Sequence, residues 1–335
     1  MASFGYTVMG EQAGPKQLVA DAVRAEAVGF DFLAASDHYN PWLEEQGHSP
    51  YTWSVLGAIA QATSRIDLMT YVTCPTMRYH PVVVAQKAAT VSLLSDGRFT
   101  LGLGLGWREE EFEGLRIPMR SRRPRLIDSI AILRQAWSDG LVTGTEATPY
   151  PGVSVTPKPP RAGGPPIWIG GFAEPAVRRA GAIADGFMGS DVTPETLAEA
   201  VGWAREEVER RGGDPDAFEV SVHLPTFPWH RDDAWERVRD HHWYVSWKYD
   251  DMEPARGRTG PPAAAPPIPA DREAELRDSI LLGEPAAVAE RILALRDAAG
   301  GRLHYIARLY WPGMDPAVRD ESMRIFADEV VPLLR

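Results

Sequence analysis

The chain has 335 residues, 44% of them hydrophobic, which is enough for one substantial core, and it carries a formal charge of −11. That acidic balance repels phosphate backbones and argues against nucleic acid as a partner. A single cysteine, Cys74, rules out an intrachain disulfide, and with no basic leader and no apolar run near the ~20 residues of a bilayer span, the expectation is a soluble, cytoplasmic protein with no membrane partner.

Short β-type runs alternate with longer amphipathic ones. Phe4–Met9 is the first apolar run. Pro15–Val28 is helical by period and stops at Gly29. Phe30–Ser36 is a second strand, Ser49–Thr63 a helix with Pro50 in its first turn, Ile66–Cys74 a third strand and Pro81–Leu94 its helix. Arg98–Leu105 is the fourth strand and Arg125–Trp137 the main helix after it. Residues 140–166, rich in Gly, Pro and Thr, read as an irregular insertion. Pro166–Gly170 with Pro175–Ile183, then Gly186–Ser190 with Pro194–Arg211, give the fifth and sixth pairs. Phe218–Pro225 is the seventh strand, and 229–277 a second insertion whose tryptophans read as packing. Pro285–Ala298 is a helix, Leu303–Leu309 the eighth strand and Pro316–Leu333 the last helix. Eight strands, each followed by helical sequence, argue an α/β fold with a parallel sheet closed as a (β/α)8 TIM-like barrel. No G-x-G-x-x-G follows the first strand, which argues against an open dinucleotide-binding sheet.

In such a barrel, chemistry sits at the C-terminal ends of the strands. Ser36-Asp37-His38 ends the second strand, with Trp42 and His48 close behind. The pair either presents an oriented imidazole to a substrate, with Trp42 as an apolar wall, or is a buried cap with its histidine satisfied by backbone. The run Gly102-Leu103-Gly104-Leu105-Gly106-Trp107 bares one face of the fourth strand. That face either admits a planar ligand or is a small-residue layer inside the barrel. Tyr71, Val72 and Cys74 end the third strand. Gly170-Gly171 leads into the helix near Pro175, a site for an anion or an ordinary turn. Arg120, Arg122, Arg123 and Arg125 form a basic run that either meets an anionic cofactor tail or pairs with the glutamates of 109–113. No ligand set for a metal is apparent.

The segments SDHYNPW, GHSPYTWSVLGAIAQATSRIDL and TCPTMRYHPVVVAQKAATVSLLSDGRFTLGLGLG resemble the F420-dependent glucose-6-phosphate dehydrogenase group of the luciferase-like superfamily. The resemblance is close over residues 4–106 and looser beyond, through PIWIGG, ADGFMGS and WPGMDP. It implies one luciferase-like barrel over 1–335, a homodimer, with the 140–166 and 229–277 insertions around the mouth and coenzyme F420 bound there. It implies that Asp37 contacts the cofactor, that His38 is the active-site histidine with Trp42 beside it, and that Tyr71–Val72 is a non-proline cis peptide behind the ring. Cys74, Leu105 and Gly106 would contact the ring. Ala173, Glu174, Ala176 and Val177 fall at the cofactor phosphate, although Gly-Gly is expected where Ala173-Glu174 stands. His48 and Ser190 would face the substrate pocket.

The departures from the group carry information. Trp107 occupies the place of the catalytic glutamate and would wall the pocket, and Glu109 is the stand-in two residues on. The expected phosphate-binding lysine and arginine fall at Thr193 and Asp278. A phosphate dianion wants fixed Lys or Arg donors, so glucose-6-phosphate is not the expected substrate. The expected reaction is hydride transfer between the deazaflavin and a small organic molecule, either alcohol oxidation or reduction of C=O, C=C or C=N. The GW-x-EEEF and WPGMDP segments leave an FMN-dependent monooxygenase as the alternative, and a non-catalytic cofactor binder as the third.

Overall fold

Six helices begin with a proline in the first turn, where a missing N–H costs nothing: Pro15, Pro81, Pro175, Pro194, Pro285 and Pro316. Each follows a short apolar strand, and the alternation winds into a closed parallel barrel. The computed structural model describes residues 2–11, 13–41, 47–252 and 265–335. The barrel strands are β1 (Ala2–Val8), β2 (Phe32–Ala35), β3 (Asp67–Thr70), β4 (Phe99–Leu103), β5 (Ile167–Gly170), β6 (Gly186–Ser190), β7 (Glu219–Pro228) and β8 (Leu303–Arg308). Each pairs in parallel with its neighbours in chain order, and β8 returns to β1 through Ala2↔Leu303 to Tyr6↔Ala307. The expected barrel is the one observed.

The principal helices are α1 (Pro15–Val28), α2 (Thr52–Ala62), α3 (Pro81–Leu94), α4 (Glu109–Gly114), α5 (Arg122–Trp137), α6 (Glu174–Ile183), α7 (Pro194–Arg210), α8 (Ala234–Met252), α9 (Pro285–Ala298) and α10 (Pro316–Ile325). Gly29 ends α1 in the left-handed conformation at φ 97°, with its N–H bonded back to Ala25 and Glu26. A glycine pays no Cβ penalty there. The larger core lies between strands and helices. A smaller one fills the barrel interior with Phe32, Ala34, Met69, Trp168, Met188 and Ile306, so the barrel is plugged below its mouth.

The structure departs from the expected elements in three places. Residues 142–144 and 149–153, expected as irregular, form an antiparallel hairpin. Its strands offer few apolar residues, so alternation is faint in the sequence. Leu281–Gly283 adds a short parallel strand to the end of β7, too brief for a period to show. Glu109–Gly114 is a helix nested in what reads as loop. In the second insertion, α8 buries Trp235 and Trp243 with Phe227, Trp229 and Trp311 in a separate cluster, so these indoles do serve packing. No helix among the described residues is long and apolar enough to cross a membrane.

Candidate active site

The end of β2 is fixed from beneath. Thr52 of α2 donates to the Ser36 carbonyl at 2.7 Å, and the Ser36 hydroxyl bridges the Gly10 N–H and the Glu11 carboxylate. Asp37 follows, 2% exposed. Its Oδ2 accepts from the Trp53 indole at 3.1 Å and the Thr73 hydroxyl at 2.7 Å. Its Oδ1 accepts from Arg78 at 2.7 Å and the Tyr79 hydroxyl at 3.2 Å. A carboxylate offers about four lone-pair positions, and protein groups fill them all. The cofactor contact implied for Asp37 therefore has no acceptor left to make it. This residue ties β2, α2 and the β3–α3 connection together and sets the direction in which His38 leaves the strand.

His38 Nδ1 meets Glu111 Oε2 at 3.0 Å, and the other Glu111 oxygen accepts the Tyr39 N–H at 3.2 Å. Glu111 is 1% exposed; the His38 side chain keeps 21% of its surface. Burial alone would pull the imidazole's pKa down, but the Glu111 hydrogen bond and the nearby Glu11 and Glu111 charges outweigh it, and the net shift is upward. Burial likewise pushes Glu111 up, and the His38 contact and the Tyr39 amide bring it below its ordinary value. Each partner favours the charged form of the other, which describes an imidazolium–carboxylate pair. With Nδ1 engaged, Nε2 is the ring nitrogen left for a substrate.

Glu109, the stand-in expected from the sequence, faces solvent, as does Glu110. The three glutamates open α4, and successive residues on a helix turn by about 100°, so only one can face β2. Arg108 fixes which one. Its buried side chain donates to the Asn40 and Pro41 carbonyls and anchors the helix start against the loop after His38. Glu111 is the functional residue the sequence hid; spacing cannot say which member of a glutamate run points inward.

Above the plugged interior lies a cavity of about 540 Å³, inside the range of about 300–1,000 Å³ usual for cofactor and ligand sites. Its wall brings together His38, Tyr71, Val72, Cys74, Leu105, Gly106, Trp107, Ala173, Ala176 and Ser190. His48 stands apart, beside Gly14. Val177 is buried, with its N–H spent on the Ala173 carbonyl. Glu174 points away into an ion pair with Arg178 at 2.6 Å. Trp42 lies outside the described residues. The Tyr71–Val72 peptide bond is cis, as the resemblance implies. Burial pushes the Cys74 thiol well above its usual range, so it offers no thiolate.

Gly102 of β4 serves the second reading of the run, close packing, whereas Gly104 and Gly106 beyond the strand also line the cavity. A Cβ at Gly102 would fall 1.9 Å from the Thr70 carbonyl oxygen, and one at Gly104 would fall 2.3 Å from a Val72 methyl. The bare face admits neighbouring protein, and Val72, wedged against Gly104 and Gly170, stands in the cavity wall.

The far wall was not legible in the sequence. Thr7, Glu11, Asp191, His223, Tyr249 and Arg308 line it together. His223 bonds the Thr7 hydroxyl at 3.1 Å. Burial, and secondarily Arg308, lowers its pKa to about 3, which favours the neutral ring near neutral pH. Arg308, 3% exposed, shares a hydrogen bond with Tyr249 of α8. Their signal is position alone: Thr7 and Arg308 sit near the C-terminal ends of β1 and β8, and His223 lies midway along the longer β7.

The profile of the family described as luciferase-like monooxygenase matches residues 2–302. The F420-dependent glucose-6-phosphate dehydrogenase 1 of Rhodococcus jostii (strain RHA1) is 35% identical over 235 residues, 67% of this chain and 70% of that one. The F420-dependent glucose-6-phosphate dehydrogenase of Rhodococcus erythropolis (strain PR4) is 31% identical over 343 residues, 99% of this chain and 97% of that one. A solved F420-dependent secondary alcohol dehydrogenase, in complex with an F420–acetone adduct, superposes with a TM-score of 0.79 over 99% of both chains at 22% identity, a likeness of fold. The chain therefore belongs to the luciferase-like monooxygenase family, as a relative of its F420-dependent glucose-6-phosphate dehydrogenases.

Proposed function

We propose that this protein is an F420-dependent oxidoreductase acting on a small alcohol or carbonyl compound. The observation that carries the reading is the His38–Glu111 pair at the wall of a mostly apolar cavity, in a chain whose relatives use F420. The residues present suit a flat ring: Val72, Leu105, Gly106 and Trp107 line the cavity and would hold it, Val72 from behind and Trp107 from the loop after β4. Bound F420 supplies a two-electron hydride carrier.

The chain's own part is the proton. In reduction, His38 gives its Nε2 proton to the developing alkoxide, and Glu111 holds the imidazolium until then. In oxidation, the neutral imidazole takes the hydroxyl proton and Glu111 stabilises the cation that forms. General acid–base help of this kind is worth about 10²–10⁴-fold. The upward shift of the His38 pKa extends the donor form to higher pH than a free imidazole would keep it, which favours the reductive role. Reductive turnover is expected to be flat in acid and to fall as pH rises through that raised value. Glu111→Gln removes the support and moves the fall to lower pH. A kcat profile whose fall does not move with this substitution removes Glu111 from the proton path.

Glucose-6-phosphate is a poor fit. Thr193 is the N-cap of α7, its hydroxyl taken up in a capping box with Thr196. Asp278 ends a short helix, Glu273–Asp278, away from the cavity wall, no lysine among the described residues lines that wall, and its two arginines are already engaged, Arg122 with the Gly106 carbonyl and Arg308 with Tyr249. A neutral substrate agrees better with these walls. From the second insertion, α8 reaches the cavity wall through Tyr249, whose ring lies 5.7 Å from that of Trp107.

Titration of the apo-protein with F420 and with FMN, read by fluorescence, tests the cofactor. Micromolar binding of F420 and none of FMN is the expected result. The reverse order would hand the protein to the monooxygenase alternative.

A further inference from the structure

The basic run at the start of α5 does not behave as a unit. Arg125 bonds Ser121, and Arg122 donates to the Gly106 carbonyl at 3.0 Å from within the cavity wall. Arg123, the next residue, faces the other way, into a surface groove of about 450 Å³ that it shares with Glu174, Pro175, Arg178, Arg179 and Glu207. The first turn of α6 divides in the same manner. Ala173 and Ala176 line the cavity; Glu174 and Pro175 line the groove. Two separate elements thus give adjoining residues to both spaces, so the groove runs on from the cavity across their shared ridge.

The charges in the groove are unevenly matched. Arg178 is satisfied by Glu174, Glu206 and Glu207 at 2.6, 2.8 and 3.2 Å, and Arg210 also pairs with Glu207. Those carboxylates are thereby spent. Among the described residues Arg123 and Arg179 have no ion-pair partner, and the Arg179 Nε is shielded from water without a hydrogen-bond partner. The two guanidinium groups instead act on one another as like charges, and burial with the Arg123 charge lowers the Arg179 pKa. Like charges held together without a counter-ion cost free energy that an anion would recover. The α6 N-terminus cannot meet that need unaided: Pro175 has no N–H, and the Ala176 and Val177 amides already bond the Ala173 carbonyl.

We propose that the Arg123–Arg179 groove is a subsite for the glutamate carboxylates in the anionic tail of the bound deazaflavin. The inference rests on the F420 reading and deepens it. The ring stays in the cavity, the chain crosses the ridge between α5 and α6, and the two arginines take its carboxylates in water-accessible ion pairs. Such pairs are individually weak and screened by salt.

The test is a fluorescence titration of the full protein with F420 and with the tail-less deazaflavin ribitol, at low and high salt. Wild type is expected to bind F420 more tightly than the tail-less form, with a gap that narrows in high salt. In Arg123→Gln/Arg179→Gln the F420 dissociation constant should rise about tenfold and lose most of its salt dependence, while tail-less binding stays put. Arg123→Lys/Arg179→Lys should restore much of the loss. Unchanged F420 binding in the glutamine variant overturns the subsite and leaves the F420 reading standing. Equal weakening of both ligands also overturns it, because the arginines would then be supporting the fold. Failure of wild type to bind either ligand overturns the F420 reading and the subsite with it.

Discussion

Replacing His38 by alanine is expected to lower kcat by about 10²–10⁴-fold, the range for removing a positioned acid–base group, while leaving cofactor affinity close to that of the parent. The imidazole meets the cavity through Nε2 alone, since Nδ1 is held by Glu111 at 3.0 Å. Its loss therefore deprives the reacting oxygen of its proton partner and removes little of the apolar wall on which a ring would lie. Glu111→Ala should cost less in turnover, because the imidazole remains, but it should shift the pH profile to lower pH. Stopped-flow turnover alongside cofactor titration separates these effects. A His38→Ala enzyme that binds cofactor poorly and turns over normally once saturated would place the histidine in binding and end the acid–base account.

Replacing Asp37 by alanine should act on the fold. Its side chain is fully buried against Arg78, and it accepts from Trp53, Thr73 and Tyr79 as well. Removing one partner of a buried ion pair leaves the other uncompensated and costs about 3–5 kcal/mol. Three further donors lose their acceptor, although Arg78 keeps its stacking over Tyr39, Tyr51 and Tyr79. Asp37→Asn should be milder, since one oxygen still accepts. The denaturation midpoint checks this. If Asp37→Ala unfolds at the parent's midpoint yet no longer binds cofactor, the aspartate belongs to the binding site and its bonding inside the protein is incidental.

The barrel was legible in the sequence because its signals are local. Proline at a helix start, glycine at a helix stop and short apolar strands depend on a few residues each, as at Pro15, Gly29 and Phe32–Ala35. His38 was legible too, as an imidazole at a strand end. What escaped depends on distant partners. Nothing near Asp37 announces that Trp53, Thr73, Arg78 and Tyr79 will converge on it. Nothing in Glu109-Glu110-Glu111 says which carboxylate turns inward until Arg108 is seen anchoring the helix. The β4 glycines invited a ligand-facing reading because a bare strand face looks the same from sequence whether a cofactor or Val72 fills it. His223 and Arg308 went unread because lone polar residues in apolar strands gain meaning only when several strand ends meet.

The seam between β1 and β8 has its own consequence. It pairs Ser3 with His304, whose side chains bond at 2.6 Å, and His304 passes the contact on to Glu219. The barrel's first strand thus finds one of its two neighbours only about 300 residues further along the chain. Until then, one flank of Ala2–Val8 has no partner, and contacts so distant in sequence form slowly. The growing chain carries an open sheet edge until β8 is made, the condition in which misassembly threatens and chaperones are recruited.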